Sequence, residues 1–323
     1  MAVQKVQDIR KSWIIKYFYS YGIYFIFLIL VIVFSLKSKQ FLSVNNIINI
    51  LQQSAALGIV TVGMIFVIMT AGIDISVGST MYFASCLAGF AISKGAGLVP
   101  AVIVALFGGA LIGAVNGFVI SKYRVIPFIA TLATMGIARG LGLIISKAQI
   151  LFYGDVSKII SSTKLLGIPI TVYMLVAVLL VGNFFLRRTQ FGRQLYAIGN
   201  DEAGAKIIGI NVERKKFFVY FICGILAGLA GLILSAQVSA VTPTFATGTE
   251  FIVISAAVLG GTSLFGGKGN VLPGALLGVI IVTVIENGLN VVNASPYVYA
   301  IIRGIIIYAA VMVDSIKNSG ELR

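Results

Sequence analysis

Long apolar segments separated by short polar ones dominate the chain. A helix that crosses a bilayer needs about 20 mostly apolar residues, and ten segments approach or exceed that length. They are residues 20–36, 47–70, 78–93, 98–120, 126–146, 165–186, 217–239, 250–265, 271–292 and 297–314. We therefore predict an all-α polytopic membrane protein with one transmembrane domain over residues 1–323. The third and eighth segments are short and rich in glycine, so whether they cross completely stays open.

The composition agrees with a membrane protein. Of the 323 residues, 59% are hydrophobic and 11% are charged, whereas a soluble domain carries about 25% charged residues. A soluble enzyme, a disordered chain and a disulfide scaffold are therefore excluded. Histidine is absent from the sequence and there are two cysteines, which leaves almost nothing for a zinc site or for a Ser-His-Asp or Cys-His catalytic pair.

The basic residues indicate an orientation. The chain has 24 Lys and Arg against 10 Asp and Glu, a net charge of +14. With a cytoplasmic N-terminus, the inner segments hold 16 of these cations, the outer loops hold six, and two lie within spans. Because cytoplasmic loops are enriched in Lys and Arg, we predict that both termini are cytoplasmic. The loop 187–216, with seven cations, is then the largest cytoplasmic feature.

Two halves of the chain match each other at an offset of 169 to 173 residues. The matches, in order, are Gly58 with Gly228, Gly78-Ser79 with Gly248-Thr249, Gly95–Pro100 with Gly267–Pro273, Asn116-Gly117 with Asn287-Gly288, and Pro127 with Pro296. Chance is the alternative, since glycine is common in membrane helices, but five matches in order favour a duplication. The repeats cover about 20–146 and 165–314. Five spans each would make them antiparallel, an inverted repeat typical of alternating-access transporters.

The loop 187–216 contains a predicted short helix. Asn200 or Asp201 can cap it, it covers about 201–208, and Gly209 is a good C-terminal stop. Such a helix either lies on lipid headgroups or docks into a groove of a partner, and its small residues and single Lys favour docking. The residues of this candidate docking surface are Asn200, Asp201, Glu202, Ala203, Gly204, Ala205, Lys206, Ile207, Ile208 and Gly209.

Asp74 is the only acid between Asp8 and Asp155, and it lies between the second and third apolar segments. The side chain of Asp74 or Ser76 can accept N–H groups at the start of the third segment. We expect this structural role for Asp74, with direct contact to a substrate or ion as the alternative.

Other polar side chains lie within the apolar segments. An intramembrane arginine needs a partner or water, and Glu286 is the candidate partner of Arg303; a structural ion pair and a wet pathway both stay open. Hydrogen bonding between helices is the alternative for each uncharged group. The candidate pathway or gating residues are Gln52, Gln53, Asp74, Ser76, Asn116, Thr131, Thr134, Arg139, Glu286, Asn287, Asn290 and Arg303.

Together these segments resemble the ribose-type monosaccharide permeases of bacterial ABC importers, in the branched-chain amino acid and sugar permease superfamily. The resemblance covers about residues 41 to 314. It is carried by Gly72–Ser79, Pro127–Leu132, Arg139-Gly140, Phe191-Gly192-Arg193, Tyr196–Asn200, Gly209–Val212, Gly260–Gly269 and Asn287–Asn290.

The resemblance implies a homodimeric subunit of the bacterial inner membrane that forms a sugar pathway. Its implied partners are a second copy of the chain, cytoplasmic ATPase subunits and an extracytoplasmic sugar-binding protein, with helix 201–208 seated in the ATPase. No nucleic acid, catalytic residue, metal or cofactor is expected in this chain, and ATP and Mg²⁺ belong to the ATPase. Ribose is the best single substrate, while another sugar, an autoinducer-type sugar or a nucleoside stays open.

Two other classes of function remain as alternatives. A self-sufficient secondary transporter is compatible with an inverted repeat, although acids are scarce within the spans. An intramembrane enzyme would need a reactive cluster, and the sequence offers none. The glycine-rich stretch 259–270 is not a P-loop, because Thr262 and Gly269 occupy positions that the pattern reserves for Gly and Ser or Thr. An energy source therefore has to be a separate chain.

Overall fold

The computed structural model describes residues 24–25 and 27–319, and most of them are helical. The helices are α1 (Phe27–Lys37), α2 (Val44–Met69), α3 (Val77–Ser93), α4 (Leu98–Tyr123), α5 (Pro127–Ser146), α6 (Gly154–Ser162), α7 (Ile170–Arg188), α8 (Gln190–Asn200), α9 (Glu202–Ile207), α10 (Val212–Val238), α11 (Thr249–Leu259), α12 (Leu276–Val291) and α13 (Pro296–Ser319). A kinked segment, Val271–Ala275, in which Leu272 is extended, leads into α12. The short strands are β1 (Leu151–Phe152), β2 (Lys164–Leu165), β3 (Ile168–Pro169) and β4 (Ala240–Val241).

Six helices of the described region are long and apolar enough to cross a membrane. They are α2, α4, α5, α7, α10 and the continuous stretch Val271–Val291 that ends with α12. The shorter α1, α3 and α11 are also apolar. A mostly helical, polytopic architecture is thereby confirmed, while the number of ten complete spans stays a prediction.

Two of the predicted helical segments have one boundary wrong, namely the start of the sixth and the end of the eighth. The sixth does not begin as a helix, because β2 and β3 pair there and α7 starts at Ile170. Gly167, between the two strands, has a φ of +80°, which a continuing helix excludes. The eighth ends at Leu259 rather than near 265, since Gly261 has a φ of +90° and turns the chain away. The loops also contain α6 and α8, which the apolar pattern does not predict.

The centre of the bundle is α2. Every residue from 54 to 70 is buried, and α2 packs against α7, α10, α11 and α12. A helix that is apolar on all sides is typical of such a central position. These four helices are therefore arranged around α2, while α3, α4 and α5 pack on one another and α3 and α4 also pack on α10.

The helices α4 and α10 meet in backbone contact. Gly109 and Gly113 of α4 face Gly224 and Gly228 of α10, and a Cβ atom on Gly109 would collide with the Gly224 carbonyl oxygen. The four-residue spacing on each helix is the small-residue pattern by which membrane helices approach closely. This glycine seam joins the first half of the chain to the second.

The segments that the charge pattern assigns to the inner side come together at one end of the bundle. The Gly267 amide donates to the Met69 carbonyl oxygen over 3.0 Å, and the Tyr196 hydroxyl donates to the Gly269 carbonyl oxygen over 2.7 Å. At the opposite end, β1 pairs antiparallel with β4. We call these the basic end and the opposite end. The two halves of the chain contact each other at both.

Candidate functional site

The chain between α2 and α3 is fixed by Asp74, which is 2% exposed. One Asp74 carboxylate oxygen accepts the Ser76 amide N–H over 2.9 Å and the Ser76 hydroxyl over 2.6 Å. Ser76 is the N-cap residue of α3, and its own side chain makes no cap bond. The carboxylate therefore holds the turn that starts α3.

This turn is tied to two further helices by buried hydrogen bonds. The Asn116 amide of α4 donates to the Ser76 hydroxyl over 2.9 Å, and the Thr134 hydroxyl of α5 donates to the Asn116 carbonyl oxygen over 2.6 Å. The Ile75 amide donates to the Thr131 hydroxyl over 3.3 Å. The structure thus brings five of the predicted residues together, and we call this group the α3 cluster.

The start of α11 lies against the start of α3. Gly248, with a φ of +80°, precedes α11, and Glu250 in its first turn is buried. A Cβ atom on Gly78 would collide with the Glu250 carboxylate and would lie 2.5 Å from the Ala246 carbonyl oxygen. Two short apolar helices therefore begin next to each other inside the bundle, in side-chain contact.

Arg139 of α5 lies beside this junction. Its guanidinium donates to the Phe245 carbonyl oxygen over 2.7 Å and lies over the Tyr82 ring at 4.6 Å. Glu250 is a nearby acid, although its described side chain forms no salt bridge with Arg139. We call Arg139, Tyr82, Phe245 and Glu250 the α11 cluster. The contacts of Arg139, which the sequence left open, are now identified.

The short helix α9 protrudes from the basic end of the bundle. The Asp201 carboxylate caps it by accepting the Ala203 amide over 3.0 Å, and Gly209 follows it with a φ of +83°. The buried Ala205 packs with Ile198 and Val212. The predicted helix thus forms, with Asp201 rather than Asn200 as its cap.

Salt bridges connect α9 to the N-terminal end of α10. Glu202 forms salt bridges with Lys206 on its own helix and with Lys216 on α10. Burial alone would raise the pKa of Glu202, but hydrogen bonds from the two lysines and their charges hold it below its usual value. Glu202 is therefore anionic at neutral pH.

The outer face of α9 carries exposed apolar side chains. Ile207 is 86% exposed and Ile208 is 72% exposed. These two isoleucines adjoin each other, and neither takes part in the apolar contact that Ala205 makes with Ile198 and Val212. An apolar pair at such a place is typical of a surface that another molecule covers.

Comparison with known proteins identifies the family. Residues 46–311 match the family described as branched-chain amino acid transport system / permease component. The chain belongs to this permease family. It is 40% identical to the ribose import permease protein of Escherichia coli over 296 residues, 90% of this chain and 92% of that protein.

The resemblance of this permease to the ribose-type permeases is confirmed. Two further relatives support it. The ribose import permease protein of Bacillus subtilis is 39% identical over 296 residues, 90% of this chain and 91% of that protein. The D-allose transport system permease protein of Escherichia coli is 37% identical over 303 residues, 91% of each chain. No solved structure matches the chain.

The remaining predicted amides of the permease lie toward the opposite end. Asn287 of α12 and Asn46 of α2 exchange hydrogen bonds of 2.9 and 3.1 Å. Gln52 donates to the Ser161 carbonyl oxygen over 3.1 Å. Gln53, one residue on, is half-buried, and Asn290 is exposed. These residues therefore lie apart from the α3 cluster.

Glu286 is half-buried on α12, whereas the side chain of Arg303 lies outside what the structure describes. The predicted pairing of these two residues stays a prediction. Across the described residues, no three His, Cys, Asp or Glu side chains are grouped as a metal ion requires.

Three members of the α11 cluster were not predicted from the sequence. Glu250 follows Gly248-Thr249, which the predicted repeat aligns with Gly78-Ser79, so the predicted repeat was a signal for this position. Tyr82 has no comparable signal, because an aromatic residue in an apolar helix is ordinary. Phe245 takes part through its carbonyl oxygen, a group that every residue carries.

Proposed function

We propose that this permease is the membrane subunit of a bacterial ABC importer for ribose, located in the cytoplasmic membrane. We further propose ten spans in two inverted five-helix repeats, with both termini and the basic end in the cytoplasm. The enrichment of Lys and Arg in the segments at that end supports the orientation.

The starts of α3 and α11 support the inverted repeat. These half-helices hold equivalent places in the proposed repeats, and both begin inside the bundle. Discontinuous helices of this kind are a common feature of inverted-repeat transporters. Asn116 and Asn287, which are also proposed repeat mates, each bond to a neighbouring helix near opposite ends.

Coupling to a partner ATPase is assigned to α9, with Asn200 to Gly209 as its contact surface. The exposed pair Ile207 and Ile208 carries this assignment, since it offers an apolar contact on a helix that is capped and ionically fixed to α10. Movement of the ATPase is passed through Glu202 and Lys216 to α10.

The exposed side of α5 is proposed to face a second copy of the chain. Gly136 and Gly140 have no heavy atom within 4 Å of their Cβ positions, so this surface admits close approach of another helix. The sugar crosses between the copies, and the remaining predicted polar residues line or gate its route. The opposite end would receive a sugar-binding protein.

The substrate is proposed from the relatives. Relatives at 40% identity are named for ribose import, and others at 37% and 34% identity are named for D-allose and L-arabinose. Vesicles containing the permease, its ATPase and its binding protein should import ribose with ATP inside, and prefer it over D-allose and L-arabinose. If the vesicles preferred another sugar, ribose would be rejected as the substrate, and the proposed importer function would stand.

The coupling surface is tested by co-purification with the ATPase. Ile207→Glu combined with Ile208→Glu should abolish recovery of the ATPase, because two charges replace the apolar contact. Leu166→Glu is the matched control: Leu166 is 91% exposed at the opposite end and should leave recovery unchanged. Full recovery with the double variant would reject α9 as the contact. Uptake by the permease alone, driven by an ion gradient, would instead indicate a secondary transporter.

A further inference from the structure

An apolar cleft lies on the side of the bundle between α7 and α10. Both helices pack on α2, whose Val62 and Phe66 form the floor of the cleft. The walls are Ala177, Val178, Val181, Gly182 and Phe185 of α7, and Phe218, Ile222 and Leu226 of α10. Its volume is about 720 Å³.

The cleft runs parallel to the helices. It extends along α10 from Arg214 to Leu226, which is about 18 Å at 1.5 Å per residue. Half of a bilayer's hydrocarbon core is about 15 Å thick. The cleft therefore has the length of one leaflet.

The end of the cleft is positively charged. Arg214 and Lys215 line it at the foot of α10, with Arg214 near the Phe218 ring and Lys215 near the Phe191 ring. Among the described residues, neither cation forms a salt bridge. The acids Glu202 and Glu213 bond instead to other cations, namely Lys206, Lys216 and Arg124.

We propose that this cleft binds one anionic phospholipid, with an acyl chain along Val62 and Phe66 and the headgroup phosphate between Arg214 and Lys215. An apolar groove that ends in two cations complements such a lipid in both length and charge. The assignment to the cytoplasmic leaflet rests on the proposed orientation, whereas the choice of an anionic lipid does not.

The chain's own N-terminal segment fits the cleft less well. Residues 1–19 hold four Lys and Arg and one acid, so the cations at the cleft end would repel them. The lipid also has a structural consequence, because Phe191 belongs to α8, which leads into α9. A bound lipid would join α7, α8 and α10 at the level where the coupling helix is attached.

Native mass spectrometry of the full chain tests the proposal. The protein is reconstituted with equal amounts of phosphatidylglycerol and phosphatidylcholine of the same acyl composition, extracted, and measured for retained lipid. We expect one phosphatidylglycerol per protomer. Equal retention of both lipids, or of neither, would overturn the proposal.

Two pairs of variants test the charge and the groove separately. Arg214→Gln with Lys215→Gln should weaken phosphatidylglycerol retention about 25-fold, since each cation near an anionic headgroup contributes about a factor of five. Lys122→Gln with Arg188→Gln, at exposed positions outside the cleft, should leave retention unchanged. Ala177→Trp should expel the lipid by filling the cleft, whereas Leu180→Trp, exposed outside it, should not. Retention that survives both cleft variants would place the lipid elsewhere and reject the site.

Each variant is first shown to elute as the wild type does in size exclusion, so that loss of lipid is not confused with loss of fold. Retention is measured without ATPase, binding protein or sugar. A failure of the proposed transport function therefore leaves this result unchanged, and the reverse also holds.

Discussion

The two half-helices begin in different chemical surroundings, although the proposed repeat makes them equivalent. The α3 cluster consists of a buried carboxylate with hydroxyl and amide partners, and hydrogen bonds join it to α4 and α5. The α11 cluster depends instead on the buried Glu250 and the charge of Arg139, next to a glycine with positive φ. One start is therefore held by hydrogen bonds among buried side chains, and the other by a cation that hydrogen-bonds to a backbone carbonyl oxygen and lies near a buried acid.

The helix α5 contributes residues to both clusters. Thr131 and Thr134 in its first turns bond to the α3 cluster, and Arg139, about two turns later, belongs to the α11 cluster. Hydrogen bonds weaken steeply when their groups shift, so α5 is linked to the start of a neighbouring helix through each cluster. A movement of α5 is therefore expected to shift the starts of both α3 and α11.

The largest expected effect comes from a substitution that forces the N-terminal ends of α3 and α11 apart. Gly78→Val places a side chain against the Glu250 carboxylate and the Ala246 carbonyl, and we expect it to lower the free energy of unfolding by about 3 kcal/mol. Unfolding of detergent-solubilised protein measures this. Gly97→Val adds the same side chain at an exposed, extended position with open space around it and should cost far less. Equal stability of both variants would mean that α3 and α11 do not meet.

Breaking the α3 cluster alone should have the next largest effect. Asn116→Leu removes two buried hydrogen bonds between helices, those to Ser76 and Thr134, which should cost about 1–2 kcal/mol in total. Both hydroxyls keep another partner, Asp74 for Ser76 and carbonyls of its own helix for Thr134. The same unfolding measurement applies. Asn290→Leu changes an exposed amide and is expected to be nearly neutral, so a similar loss in both would argue against the buried network.

The α11 cluster is tested by a double-mutant cycle of Arg139→Gln and Glu250→Gln. We expect a coupling energy of at most about 1 kcal/mol, because the two groups attract each other without the close contact of a salt bridge. A second cycle, between Arg139→Gln and Asn116→Leu, should be additive if the two clusters are held independently. Strong coupling in this second cycle would mean that the two starts are held as one unit.

The smallest expected effect is that of Thr131→Val. Its hydroxyl accepts the Ile75 amide over 3.3 Å and also bonds to the Pro127 carbonyl of its own helix over 2.9 Å. Loss of one such bond inside a membrane protein costs about 0.6 kcal/mol. A loss as large as that of Asn116→Leu would show that Thr131, rather than the amide, organises the α3 cluster.

Features encoded over a few neighbouring residues were predictable from the sequence. Apolar runs located the long helices, and Asp201 with Gly209 located α9 because caps and stops act over a single turn. The Asp74 region was predicted to start α3, and its carboxylate lies there. The amphipathic α8 was missed, since its two glycines and Arg193 interrupt the apolar pattern.

Features that depend on distant contacts were not predictable. Glu250 lies far along the chain from Gly78 and Arg139, and a single sequence does not indicate which segments meet. Asn116 and Asn287 looked alike as polar residues in apolar helices, yet they bond to partners near opposite ends of the bundle. The exposed face of α9 could be identified only from the structure, because packing determines that Ala205 is buried and Ile207 is exposed.

The glycine seam between α4 and α10 has a mechanical consequence. Helices that touch through their backbones have few side chains between them that can change rotamer, so they resist sliding past each other. The pair should turn as a rigid lever. A displacement of Val212, near α9, would then be transmitted almost completely to Val238 at the other end of α10. The helix α4 would move together with α10.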